Sequence, residues 1–287
     1  WQKGMIPLLN ASIMRAIELN GQAVDKNKQA FDWGRRAAVD LHSVQKMATP
    51  PGAKPESQRV SQTIEDMVER RKSYLTAYQD AAYADRYVAL VARVQKLEAE
   101  KFSGKKSLSA AVARYYFKLM AYKDEYEVAR LYADSDFVKR VAAQFEGNYK
   151  LTFNLAPPIM SELDPATGHA RKKIFGSWMM SAFGVLAKFK GLRGTAFDIF
   201  GYTDERKMER QLISDYEKLL EELMGKLSGA NYDVAVDLAS IPEHIRGFGH
   251  VKLQHLSEAK KREAELLERF RTPGVGAHKE IRVKVAA

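Results

Sequence analysis

There is no cysteine anywhere in the 287 residues. No disulfide can brace the fold, no thiolate can ligate zinc or an iron–sulfur cluster, and none can act as a nucleophile. No run of eighteen apolar residues occurs, so no membrane-spanning helix is expected. The segment Trp1-Gln2-Lys3-Gly4-Met5-Ile6-Pro7 has none of the basic, apolar and cleavage regions of a signal peptide. Acids are missing from one long stretch, with none between Pro165 and Phe197. The histidines offer no metal-ligand spacing: His250 and His255, five apart, are misaligned on a regular helix. No metal site is predicted.

What is present is a chain able to fold. Hydrophobic residues make up 46% of it, and a chain of this length buries roughly 70–75% of its extended surface, which excludes disorder throughout. The formal net charge is +10. Such a surface attracts nucleic acid, phosphate-bearing cofactors, acidic lipid or an acidic protein, and composition does not rank them.

Periodicity predicts mostly helix. Residues 10–20 read as a short helix with Asn10 as N-cap and Gly21 in the left-handed closing position. A second runs from about Ala23 to Ala38. Residues 48–58, Ala-Thr-Pro-Pro-Gly-Ala-Lys-Pro-Glu-Ser-Gln, interrupt helical hydrogen bonding and read as a linker. The preceding residues 1–47 are too few for a domain and read as the tail of another one. Residues 59–287 then form the main domain. Within it, 59–101 reads as two packed helices whose apolar stripe includes Ile64, Met67, Leu75, Tyr78, Ala82, Val91 and Leu97. Ser107 or Ser109 is expected to cap the next helix, and Asp134 or Ser135 another. The alternation of Leu151, Phe153 and Leu155 is strand spacing. Helices follow at about 177–189, from Thr203 as N-cap through Met208, Leu212, Tyr216, Leu219 and Leu223, in shorter pieces at 231–239 and 242–246, and at 251–270. Ile281, Val283 and Val285 alternate as a terminal strand would. The predicted class is α+β: a predominantly α-helical accessory domain with a small β element.

Three blocks stand out: Leu155-Ala156-Pro157-Pro158; Lys190-Gly191-Leu192-Arg193-Gly194-Thr195 with Phe200-Gly201-Tyr202-Thr203; and Ile245-Arg246-Gly247-Phe248-Gly249-His250-Val251-Lys252. In order and spacing they resemble the C-terminal domain of the fused indolepyruvate-type 2-oxoacid:ferredoxin oxidoreductases. Trp1 through Arg35 resembles the end of that family's preceding domain. The resemblance implies an enzyme that uses thiamine diphosphate with magnesium, iron–sulfur clusters and CoA to oxidise a 2-oxoacid and reduce ferredoxin. It implies partners in the thiamine-binding and iron–sulfur domains, and a cytoplasmic location. This chain carries no match to the thiamine- or cluster-binding motifs, so no cofactor is predicted within it and no catalytic residue is named. A homo-oligomer is allowed.

Arg171, Lys172, Lys173, Lys188, Lys190 and Arg193 fall in the stretch without acids, and Gly191 and Gly194 let the backbone approach closely. A phosphate or carboxylate suits that chemistry, with Arg193 foremost. The bland reading is a solvated or interdomain face. Arg246 and His250 bracket two glycines. The imidazole could move a proton or meet an anion, or could fix the turn. Neither glycine block is a P-loop or a dinucleotide fingerprint. The alternative function is a basic anion- or nucleic-acid-binding module, although the basic and aromatic residues do not interleave as in a nucleic-acid module.

Overall fold

A computed structural model of the chain describes residues 1–48, 61–133, 141, 144, 147, 150–155 and 173–272. The linker prolines, the helix expected after Asp134 and the strand expected at 281–285 lie outside them. The described residues are predominantly helical, with one two-stranded sheet. The chain divides into two compact units, Trp1–Val60 and Ser61–Ala287.

The first unit holds α1 (Asn10–Asn20), α2 (Val24–Val39) and α3 (Leu41–Ala48). Gly21 closes α1 with a φ of 67°, as expected. Asn10 does not cap it: extended Leu9 takes that position, and Asn10 is already helical. The sequence reading missed α3. Asp40 starts it, its carboxylate accepting from the Ser43 amide at 3.0 Å and hydroxyl at 2.6 Å, and these bonds lower the Asp40 pKa. Trp1 packs on Phe31, their centroids 5.6 Å apart, under the Arg35 guanidinium. No described residue of this unit is buried.

The second unit begins with α4 (Ile64–Tyr78) and α5 (Ala81–Lys101). Thr63 and Asp80 cap them through the Asp66 and Tyr83 amides. The stripe is as expected except at Ala82, which is exposed; Ala84 is the buried alanine. Next come α6 (Ser107–Met120), α7 (Glu125–Ala133), strands β1 (Phe153–Leu155) and β2 (Lys173–Phe175), α8 (Met179–Lys188), α9 (Asp204–Lys226), α10 (Tyr232–Ser240) and α11 (Gly249–Arg271). Residues 241–244 form a 3₁₀ turn. The strands pair antiparallel with Phe153 opposite Phe175. Buried Phe153 and exposed Asn154 alternate as the period of two requires.

The large core lies among α4, α5, α6, α9, α10 and α11. Tyr87, Tyr116 and Tyr216 stack in a row through it, centroids 5.9 and 6.0 Å apart. A buried tyrosine must place its hydroxyl. Tyr87 donates to the Ala113 carbonyl at 2.9 Å, Tyr216 to that of Ala239 at 2.7 Å, and Tyr116 to the Glu217 carboxylate. Burial raises the pKa of all three. A smaller cluster joins α7, β1 and α8 through Ala129, Phe153, Met179 and Phe183.

Neither Ser107 nor Ser109 caps α6. Glu98 of α5, 1% exposed, reaches over and accepts from the Leu108 and Ser109 amides at 2.9 and 3.0 Å. The Ser109 and Tyr232 hydroxyls also donate to it. A carboxylate from a neighbouring helix thus does the work of a local cap.

The far end of α11 is tied to α9 by Arg271, whose Nε and Nη2 each donate to Glu222 at 2.7 Å. Hydrogen bonds from Arg271 and Lys226 hold the Glu222 pKa down at about 2, below its ordinary 4.5. The depressed folded-state value means that this contribution is complete above the unfolded pKa and is lost as pH falls through the folded one. The stability difference between the wild type and Glu222→Gln, followed by urea melts, should therefore be steady above pH 4.5 and shrink toward pH 2. A gap that stays constant across that window would show that the ion pair contributes nothing.

Candidate functional site

After α8 the chain makes a 3₁₀ turn at Phe189–Leu192 and leaves it through Gly194, whose φ is 77°. This turn carries Lys190 and Arg193 to the end of α4. Lys190 Nζ donates to the Ala77 carbonyl at 2.6 Å and the Thr76 carbonyl at 3.4 Å. Arg193 Nη1 donates to the Tyr78 carbonyl at 2.7 Å. The last carbonyls of a helix have no partner within it and sit at the negative end of its dipole, so two cations are well placed there.

Arg193 also makes a two-pronged pair with Asp124: Nε to Oδ2 at 2.5 Å and Nη2 to Oδ1 at 2.9 Å. Its guanidinium lies 3.6 Å from the Tyr78 ring centroid and 5.6 Å from that of Tyr126. Arg193 and Asp124 are 5% and 3% exposed. Burial lowers the arginine pKa more than any other single cause, but the hydrogen bonds to Asp124 together with the charge interactions with Tyr78, Asp124 and Tyr122 outweigh it, and the net displacement is upward. Each of the three guanidinium nitrogens donates to the chain itself, so the anion that Arg193 meets is Asp124.

Asp124 serves α7 as well, its Oδ1 accepting from the Glu127 amide at 2.8 Å. Asp124-Glu125-Tyr126-Glu127 spells an acid at the N-cap and a glutamate three residues on, a capping signal that would have located it from sequence. Glu127 is occupied in turn by Arg130, through bonds of 2.8 Å, and by the Tyr74 hydroxyl. Burial raises the Tyr74 pKa to about 12.

The following loop is organised by buried Asp198. Oδ2 accepts from the Gly194 amide at 2.8 Å, and Oδ1 from the Gly201 amide at 3.0 Å and the Tyr126 hydroxyl at 3.2 Å. A Cβ at Gly201 would run into this carboxylate. Arg210 Nη2 donates to the Gly201 carbonyl at 2.6 Å, while its Nη1 is buried with no partner among the described residues. Phe197 and Ile199, on either side of Asp198, face outward.

The other expected site residues scatter. Arg171 and Lys172 lie outside the described residues, as does the His250 side chain. Lys173 begins β2 and Lys188 ends α8; both are exposed and neither pairs with an acid among the described residues. Arg246 turns back on Glu243, donating to its carbonyl at 2.9 Å and its carboxylate at 3.4 Å. The four described basic residues of the acid-free stretch thus do two different things. Lys190 and Arg193 finish α4, while Lys173 and Lys188 face out. Among the described residues no group of three or more acids and histidines could hold a metal, and no helix is long and apolar enough to cross a membrane. A cleft of about 330 Å³ beside the start of α6 is lined by Glu65, Gln95, Glu98, Ser103 and Lys106, and Glu98 is already engaged by four donors.

A model described as a family of unknown function, DUF6537, matches residues 64–265. No curated protein matches the chain, and no solved structure does.

Proposed function

We propose, on the premise that the chain belongs to the DUF6537 family of unknown function, that it is an accessory part of a 2-oxoacid:ferredoxin oxidoreductase of the indolepyruvate type. In this reading the chain packs against the parts that carry the chemistry, in the cytoplasm, and does not turn over substrate alone. Thiamine diphosphate, magnesium, the iron–sulfur clusters and CoA belong to those other parts, since a chain without cysteine offers no thiolate to a cluster. The blocks around Lys190–Thr203 and Ile245–Lys252 carry the resemblance.

The observation that supports the reading lies in Trp1–Val60. Its helices bury nothing, yet Met5, Leu9, Leu19, Val39 and Met47 are among nine large apolar side chains exposed within 48 residues. A helical segment of that size with no interior cannot offset its own ordering entropy. Such an apolar surface marks a contact. A groove of about 620 Å³ beside α2 and α3, lined by Val39, Val44, Met47 and Arg36, belongs to the same surface.

The test is hydrogen exchange with the 287-residue chain and the polypeptide bearing the thiamine-binding and iron–sulfur domains. Amides of α1–α3 should exchange within seconds in the chain alone and gain protection once that polypeptide is added. The chain alone, given thiamine diphosphate, magnesium, CoA and indolepyruvate, should reduce no ferredoxin. Unchanged exchange in the mixture, or oxoacid-dependent ferredoxin reduction by the chain alone, would defeat the reading.

A further inference from the structure

Helix α8 is apolar on both its inner and its outer face. Its inner face sets Met179 and Phe183 into the small core. Its outer face carries Val185, with Trp178 at its N-cap and Phe189 at its C-cap continuing the same line, the three at 58%, 61% and 50% exposure. These fall at spacings of seven and four, so they line up as one ridge. Beside the ridge Ser181, Gly184 and Lys188 share the adjacent strip. A helix with apolar residues on opposite faces is a helix covered on both of them. The described residues supply cover for the inner face of α8 only.

Gly184 sharpens the point. It lies inside the helix, where glycine is a poor choice relative to any residue with a Cβ. No close contact among the described residues demands it: a Cβ built there meets no atom within 4 Å. Close approach by something outside the chain would explain the missing side chain. The electrostatics say what kind of surface this is. No acid occurs between Pro165 and Phe197, Lys188 on the strip has no acidic partner among the described residues, and Lys190 and Arg193 are spent on α4 and Asp124.

We infer that the outer face of α8 is a docking site for a helix of the oxidoreductase polypeptide. That helix has an apolar seam lying along the Trp178–Val185–Phe189 ridge, backbone close over Gly184, and a carboxylate opposite Lys188. This rests on the accessory reading and adds to it the surface and the chemistry of the partner. A seam with flanking charge is how packed helices select one another, and exposed aromatic anchors carry most of the affinity of such contacts.

The test measures binding of the full chain to the thiamine-binding polypeptide by calorimetry, for the wild type and for Gly184→Leu, Lys188→Glu and Trp178→Ala. Gly184→Leu fills open space, so its melting temperature should equal or exceed that of the wild type. Each variant should weaken binding by about tenfold or more, and binding by the wild type should weaken as salt is added. Wild-type binding that all three variants retain would overturn the docking face and leave the accessory reading standing. No binding by the wild type would overturn both. Binding instead to mixed phosphatidylcholine and phosphatidylserine vesicles, abolished by Trp178→Ala, would reassign the face to a membrane surface. A dimer of the chain that Gly184→Leu dissociates would reassign it to a second copy. Either result would overturn the proposal as stated.

Discussion

Asp124→Ala is expected to cost about 3–5 kcal/mol of folding stability, the range for breaking a buried ion pair by removing one partner. The loss is large because Arg193, 5% exposed, keeps its charge and pairs with no other acid among the described residues. The same change removes the acceptor that caps α7 at Glu127. Urea melts followed by circular dichroism measure it, and a cost below about 1 kcal/mol would mean that water or a rearranged side chain takes over the carboxylate's role. The companion variant separates pair from position. Replacing both partners, Asp124→Leu with Arg193→Met, leaves no orphaned charge, and such apolar replacements are often tolerated. It should therefore be less costly than Asp124→Ala, although the Tyr78 carbonyl loses its donor.

Glu98→Ala is the second large effect, at about 3 kcal/mol or more. Removing this side chain leaves the Leu108 and Ser109 amides and the Tyr232 hydroxyl in a buried setting with no acceptor, at roughly 1–3 kcal/mol for each unsatisfied group, eased where water enters. The adjoining cleft gives water a path to some of them. Glu98→Gln keeps one carbonyl oxygen and should fall between the wild type and alanine. Helix α6 is the element affected, so protection of its first-turn amides in hydrogen exchange reads the change directly. Unaltered protection there would show that α6 has another cap.

These two acids also show where sequence reasoning stops. The helix ends that follow a local rule are legible: Gly21 closes α1 and Thr203 opens α9, its side chain accepting from the Arg206 amide at 3.4 Å, and Thr63 and Asp80, which the sequence reading did not single out, start α4 and α5 by the same rule. Each is a contact within three residues, so the signal lies in adjacent letters. The strand at Phe153 is legible for the same reason, since a period of two shows in a few residues. Glu98 is not. In the last turn of a charged helix it reads as a solvated residue, and its oxygens matter only because α5 is laid beside the start of α6. Asn10 and the Ser107–Ser109 pair carry cap chemistry, but Leu9 and Glu98 hold those places instead.

Arg193 is the fullest case. It lies in the stretch from Pro165 to Phe197 that holds no acid, which reads as unpaired charge waiting for a ligand. The pairing acid is 69 residues away on the far side of a turn. What the sequence alone determined about this protein is its predominantly helical class, the start of most helices, the short strand and the freedom from thiol chemistry, because each depends on residue identity or on contacts a few positions apart. The tertiary structure alone decided which charges are spent and which are left over. Lys190 and Arg193 were folded onto the end of α4, while Lys188 and the ridge of α8 were left facing out. Electrostatic partnership depends on distance in space, and distance along the chain does not report it.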